Sequence, residues 1–321
     1  MLQIITLILP KFIFNYMSLL DFFQNKLSHF GRSARKKELI QRILNNPIQN
    51  NTDVVNLHRY DPTNIGDFYC GVHHYFDQLK GKELDIFDYK REEQATRDNW
   101  FEKITQNSLI IGGGGLLNRE GFDLQMKLFE QLGEKGKKTV LWGLGHNAKE
   151  KSTYGKISKY NVDTSKFGLV GVRDYGMKEE WVPCASCLHP IFDEKHDVKN
   201  EIGMIFHKKT LNDKSVLKKF EQYPSTANNA VFEDVVKFIG ETDTILTDSY
   251  HAMYWSIMLG KKVMVFPNSS KFYNFKYQPV ISNFSNFEND LKKVQSYSGV
   301  LEDCRETNLK FAEKAFDYLN L

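Results

Sequence analysis

The chain has 321 residues, 41% of them apolar, enough to bury the cores of two domains of ordinary size. Its 43 basic and 40 acidic residues leave a formal net charge of +3, which speaks against the concentrated basic face of a nucleic-acid binder and gives slight support to an anionic substrate. Four cysteines, Cys70, Cys184, Cys187 and Cys304, are too few and too unevenly spaced for a disulfide framework, so a reducing cytoplasm is the expected compartment.

Met1–Leu20 is rich in apolar residues but interrupted by Pro10, Lys11 and Asn15. It has no basic leader and no small-residue cleavage site, and no apolar run reaches the roughly 18–20 residues that span a bilayer, so no secretion signal is expected. Three readings stay open: an extension translated ahead of a true start at Met17, a helix packed on the core, or peripheral contact with the inner face of a membrane. The last would be helped by Arg32, Arg35, Lys36 and Lys37.

From residue 53 onward, short apolar runs alternate with helical patterns, the signature of βαβ units and a mostly parallel sheet. Strands are expected at Val54–Leu57, Leu84–Phe87, Leu109–Ile111, Thr139–Trp142 and Leu169–Val172, with helices at Phe68–Leu79 and Phe122–Leu132. The pattern pauses across Trp181–Asn200 and restarts with strands near Ile202–Phe206, Thr244–Thr247 and Lys262–Phe266. The expected organisation is an extension over 1–52, a first α/β domain over 53–190, a second over 191–300 and a helix over 301–321 that could return to the first domain.

Strand ends that open into helices are where α/β proteins place ligands, because the first helical N–H groups are unpaired. Asn64-Ile65-Gly66-Asp67 follows the first strand and precedes a helix expected to begin about Phe68; its polar residues suit either a ligand or a simple N-cap. Gly112-Gly113-Gly114-Gly115 follows the third strand. Four glycines cost chain entropy, so backbone lying against a substrate explains them better than a packing turn does, and no Walker A pattern follows. Trp142 to Asn147 ends the next strand, and its His146 reads more simply as an exposed loop residue than as a ligand. Arg173 ends the fifth strand, where its fork suits a phosphate or carboxylate, while Asp174 suits a helix cap or a surface pair with the arginine.

Cys184, Cys187 and His189 lie close together, but no second ligand pair accompanies them, and buried thiols between the two domains are the default. No metal site is expected. His207-Lys208-Lys209 follows the first strand of the second domain and suits a polyanion or plain solvent. Thr247-Asp248-Ser249-Tyr250-His251 places an imidazole where a buried strand passes into a helix, which makes His251 a catalytic candidate.

In this order, Asn64 to Asp67, the 112–115 glycines, Val172-Arg173-Asp174 and the unit ending in His251 resemble the polysaccharide pyruvyl transferase family over most of residues 53–267. The resemblance implies two Rossmann-like domains facing a cleft, similar to the GT-B architecture. It implies transfer of the pyruvyl group of phosphoenolpyruvate to a hydroxyl pair of a sugar, free or on a lipid-linked glycan, giving a pyruvate ketal and phosphate with no cofactor. By resemblance His251 and Arg173 are catalytic. Substrate is expected at Asn64, Gly66, Asp67, Gly112, Gly113, Gly114, Gly115, Asn118, His207, Lys208, Lys209, Asp248, Ser249 and Tyr250. Many members carry an arginine just before the histidine; here Ser249 and Tyr250 stand there, so the anion falls to Arg173, Lys208 or Lys209 with the helix N-terminus. Two alternatives share the architecture: a glycosyltransferase using a nucleotide sugar, and a non-catalytic glycan-assembly protein. Nucleic acid is not an expected partner.

Overall fold

The computed structural model describes residues 34–321. Met1–Leu20 and Arg32 lie outside the described residues. Residues 34–44 form helix α1, which buries Leu39, Ile40 and Ile43 along one face.

Two parallel sheets make the chain α/β. The first contains β1 (Asn51–His58), β2 (Glu83–Asp85), β3 (Asn107–Gly112), β4 (Thr139–Leu144), β5 (Leu169–Val172) and β6 (Glu180–Trp181), in the order β2-β1-β3-β4-β5-β6. The second contains β7 (Asn200–Phe206), β8 (Ser225–Ala227), β9 (Thr242–Thr247), β10 (Lys262–Val265) and β11 (Val280–Ile281), in the order β11-β10-β9-β7-β8. Every residue of β3 and β4 is buried, as expected where helices and turns cover both faces of a parallel sheet.

The longer connections carry helices α2 (Ile65–Tyr69), α3 (Gln94–Gln106), α4 (Asp123–Glu134), α5 (Lys214–Lys219), α6 (Phe232–Gly240), α7 (Tyr250–Met258), α8 (Phe287–Asp290) and α9 (Val300–Leu319). The last of these touches both sheets. Its Phe311, Ala312, Ala315 and Leu319 pack with Val54, Ile110, Val140 and Trp142, and the Trp142 indole donates to Asn308 Oδ1 at 3.0 Å. Its first turns, with Val300, Leu301 and Cys304, pack with Ile257 and Val263 beside the second sheet. Among the described residues no helix is long and apolar enough to cross a membrane.

In each sheet the strand order reverses once. After β1 the chain adds β2 on one side and then β3 on the other; after β7 it adds β8 on one side and β9 on the other. Such switch points open a crevice at the carboxyl ends of the strands, where ligands bind. The loops that leave β1, β3, β7 and β9 carry the motifs singled out from the sequence.

Local expectations fail in four places. The helix expected over Phe68–Leu79 begins earlier, at Ile65, and stops at Tyr69; short 3-10 turns at Val72–His74 and Asp77–Leu79 follow. The strand expected over Leu84–Phe87 ends at Asp85, whose carboxylate accepts from the Phe87 N–H at 2.9 Å and from Arg59 at 2.5 Å, turning the chain. Asp174 caps no helix, because none follows β5 directly; it accepts from the His146 N–H at 2.7 Å and the Tyr160 hydroxyl at 3.0 Å. His146 is fully buried rather than an exposed loop residue, held by Ser270 at 2.7 Å and Asn274 at 3.0 Å.

Candidate active site

Loops from both sheets line one cavity of about 340 Å³ of atom-free space. Asn64, Asp67, Gly115, Asn147 and Arg173 come from the first sheet, and His207, Asn228, Ser249, Tyr250, His251 and Lys271 from the second. Each lies beyond the carboxyl end of its strand. The two walls are tied directly: the Ile65 N–H donates to the Asn228 carbonyl at 3.3 Å, and the Asn228 amide donates to Asn64 Oδ1 at 3.1 Å.

Arg173 is the central group. It is 2% exposed, yet Nε and Nη2 have no hydrogen-bond partner. A buried guanidinium normally fills its donors, and leaving two unfilled is costly unless an anion arrives to take them. Asp174 does not fill them, because its carboxylate is engaged by His146 and Tyr160. The guanidinium carbon instead lies 4.0 Å from the centroid of the Tyr250 ring, a cation–π contact that orients the fork.

Lys271 brings a second cation. Burial, with Lys149 and Arg173 nearby, pushes it down to about 7 against the pull of Asp67 and Asp248. Asp67 is itself raised by burial and receives the Asn64 amide at 2.7 Å. An anion bound between Arg173 and Lys271 would restore the lysine charge.

His251 occupies the first turn of α7 and is 7% exposed. Burial first, then Arg173 and Lys271, hold it well below the ordinary histidine value. It is therefore neutral near pH 7 in the free protein, not poised at neutrality as its residue type alone suggests. Its Nε2 lies 3.6 Å from Cys184 Sγ. Gly66 makes room for it: a Cβ at position 66 would overlap the imidazole. His207 is also neutral, pushed down to about 4 by burial and then by Lys271, Lys149, Lys209 and Lys208.

Several predicted residues stand behind this first layer. Gly112 and Gly113 are sites of close packing, since a Cβ would strike the Trp142 carbonyl at the first and the Cys70 carbonyl at the second. Gly114 lies near Cys70 and Asp67, also behind the lining. Asn118 ties its loop to Asn161 and Lys159 at 2.8 and 3.2 Å. Lys208 is spent on Asp61 at 3.3 Å and Thr63 at 3.0 Å, and Lys209 is exposed; neither lines the cavity. Asp248 is buried and braces three loops, accepting from the His207 N–H at 2.6 Å and the Thr210 hydroxyl at 2.5 Å, while its carbonyl accepts from Asn268 at 2.7 Å.

Three lining residues escaped the sequence reading. Asn147 closes a motif whose chemical signal in the sequence is His146. Asn228 follows a strand of three residues, too short to show alternation, and Lys271 sits beyond β10 in a loop with no glycine signature. Among the described residues no group of His, Cys, Asp and Glu is placed to hold a metal ion, and Cys70, Cys184, Cys187 and Cys304 are free and buried.

Residues 38–270 match the family model described as polysaccharide pyruvyl transferase. The chain belongs to the polysaccharide pyruvyl transferase family. Membership makes it a transferase and associates it with pyruvyl transfer in polysaccharide biosynthesis. No curated protein matches the chain. A crystal structure of a functionally uncharacterized protein from Klebsiella pneumoniae is similar at 14% identity and a TM-score of 0.40, covering 69% of this chain and 85% of that one. A likeness that distant carries no functional weight.

Proposed function

We propose that the protein transfers the pyruvyl group of phosphoenolpyruvate to two hydroxyls of one sugar in a surface polysaccharide or its lipid-linked precursor. The products are a pyruvate ketal and inorganic phosphate. The observation that carries this reading is the buried Arg173 fork, with two unfilled donors, set with Lys271 around a cavity lined by His251.

Phosphoenolpyruvate presents a phosphate and a carboxylate, and a paired guanidinium and ammonium suit such a compact polyanion. In the reaction one sugar hydroxyl adds to the enol carbon while a proton goes to the methylene carbon. The second hydroxyl then displaces phosphate and closes the ketal, its proton leaving with the product. Arg173 and Lys271 would hold the phosphate and neutralise the charge gathering on it as the C–O bond breaks. His251 is assigned to proton transfer. An arriving polyanion offsets Arg173 and Lys271, the two cations that depress its pKa, and so favours proton uptake when substrate is present.

The two sheets are read as two Rossmann-like domains, 53–190 and 191–300, meeting at the cavity in a GT-B-like arrangement, with 301–321 returning to the first. A nucleotide-sugar donor is the rival in the same cleft. The separating experiment measures phosphate release from phosphoenolpyruvate with a panel of sugar and lipid-linked acceptors, beside nucleotide release from nucleotide sugars. Acceptor-dependent phosphate release is expected. Nucleotide release in its place would overturn the reading.

A further inference from the structure

The Cys184 thiol approaches His251 at the end of a buried polar chain. Trp255 Nε1 donates to Ser186 Oγ at 3.0 Å, Ser186 Oγ lies 3.3 Å from Cys184 Sγ, and Cys184 Sγ lies 3.6 Å from His251 Nε2. All four side chains are buried. The direction of this chain follows from its far end, because an indole nitrogen can only donate. Ser186 Oγ accepts that proton, and among the described residues the sulfur is the one acceptor near enough for its own hydroxyl hydrogen. With the sulfur accepting from Ser186, His251 Nε2 is the one acceptor within reach of the S–H among the described residues, and we read the thiol as donating to it. That nitrogen must then be unprotonated.

We propose that Cys184 is a positioning residue that holds His251 as the Nδ1–H tautomer, so that the imidazole presents a proton donor to the cavity. Nδ1 has no protein partner among the described residues and is not sealed from the cavity. It abuts Gly66, where a side chain would cover it. Among the described residues no other hydrogen-bond partner competes for Nε2. A neutral imidazole fixed in this way can hydrogen-bond a bound phosphate or enol oxygen through Nδ1, and it cannot serve as a base at that atom. The tautomer is a property of the free protein; its use in catalysis rests on the pyruvyl transfer proposed above.

The test is nitrogen-15 NMR of selectively labelled histidine in the full chain at pH 7.5, assigned by loss of the signal in His251→Gln. The wild type should show Nδ1 protonated and Nε2 bare, and Cys184→Ala should shift the ring toward the Nε2–H form that imidazole side chains ordinarily favour in water. Protonated Nε2 in the wild type, or an unchanged ring in Cys184→Ala, overturns the proposal. The wild-type spectrum decides even if the variant fails to fold. In assays with phosphoenolpyruvate, Cys184→Ala should lower kcat on the order of 10- to 100-fold with little change in KM, as loss of a group that orients a functional ligand does. It should also move the basic limb of the pH profile upward, since a donor to Nε2 opposes the protonation that a bound polyanion favours. A wild type inert toward phosphoenolpyruvate would sink the pyruvyl reading and leave the tautomer result standing.

Discussion

The Arg173 guanidinium rests 4.0 Å above the ring of Tyr250, so the fork is oriented by a π face from the opposite sheet and not by a carboxylate. This contact explains how an arginine can be buried with two unfilled donors and still point one way. It also separates stability from function. Arg173→Met should reduce kcat/KM by on the order of 100- to 1,000-fold, the range for loss of a charge-stabilising donor, while the melting temperature stays level or rises because an uncompensated buried charge is removed. Assay and calorimetry of the same variant check both halves; a large drop in melting temperature would contradict the account.

Gly66→Ala tests the fit around the imidazole. Alanine is the better helix former, but its methyl group would occupy the space of the His251 ring. A displaced ring should lower kcat by about 100-fold, comparable to a misplacement of 1 Å. Activity near the wild-type level would show that His251 does not act from this position.

Lys271 predicts a proton uptake. Its pKa of about 7 means that it is largely neutral at pH 8 in the free protein, and a bound polyanion should recharge it. Calorimetric titration at pH 8 in two buffers of different ionisation enthalpy should therefore report protons taken up with phosphoenolpyruvate, and Lys271→Met should abolish much of that uptake. The linkage to stability has a definite sign. Between about 7 and the ordinary lysine value the unfolded chain binds the extra proton, so the ligand-free protein gains stability from this group as pH rises through that window.

A second histidine group predicts acid sensitivity. His58 and His73 are pushed down to about 3, chiefly by burial and then by His74, and the His73 and His74 rings lie 3.9 Å apart. The unfolded chain takes up their protons near the ordinary histidine value, so the stability they contribute is present above about 6.5 and is lost as pH falls toward 3. Chemical denaturation at several pH values should show this loss, and His73→Gln should flatten it.

The sequence made the inner strands and the strand-end motifs legible because β3 and β4 carry the apolar runs Leu109–Ile111 and Val140–Trp142 ahead of glycines, and β9 carries Ile245-Leu246 ahead of the polar residues that lead to His251. It did not reveal the edge strands β6, β8 and β11, where two or three residues carry no periodicity. Arg173 and His251 could be picked out because each stands alone at a strand end. Lys271 and Asn228 could not, since their importance comes from where another strand delivers them. Residue type also misled at two points. A histidine suggests titration near neutrality, but burial beside two cations depresses His251, and the lysine pair after β7 suggests anion binding, but Lys208 is already spent on Asp61.

The most direct test of the central claim is calorimetric titration of the wild type and Arg173→Met with phosphoenolpyruvate and, separately, with a nucleotide-diphosphate sugar. Phosphoenolpyruvate should bind the wild type, Arg173→Met should lose this binding with its fold intact, and the nucleotide sugar should not bind. Tight binding of the nucleotide sugar, or phosphoenolpyruvate binding that survives loss of Arg173, would contradict it.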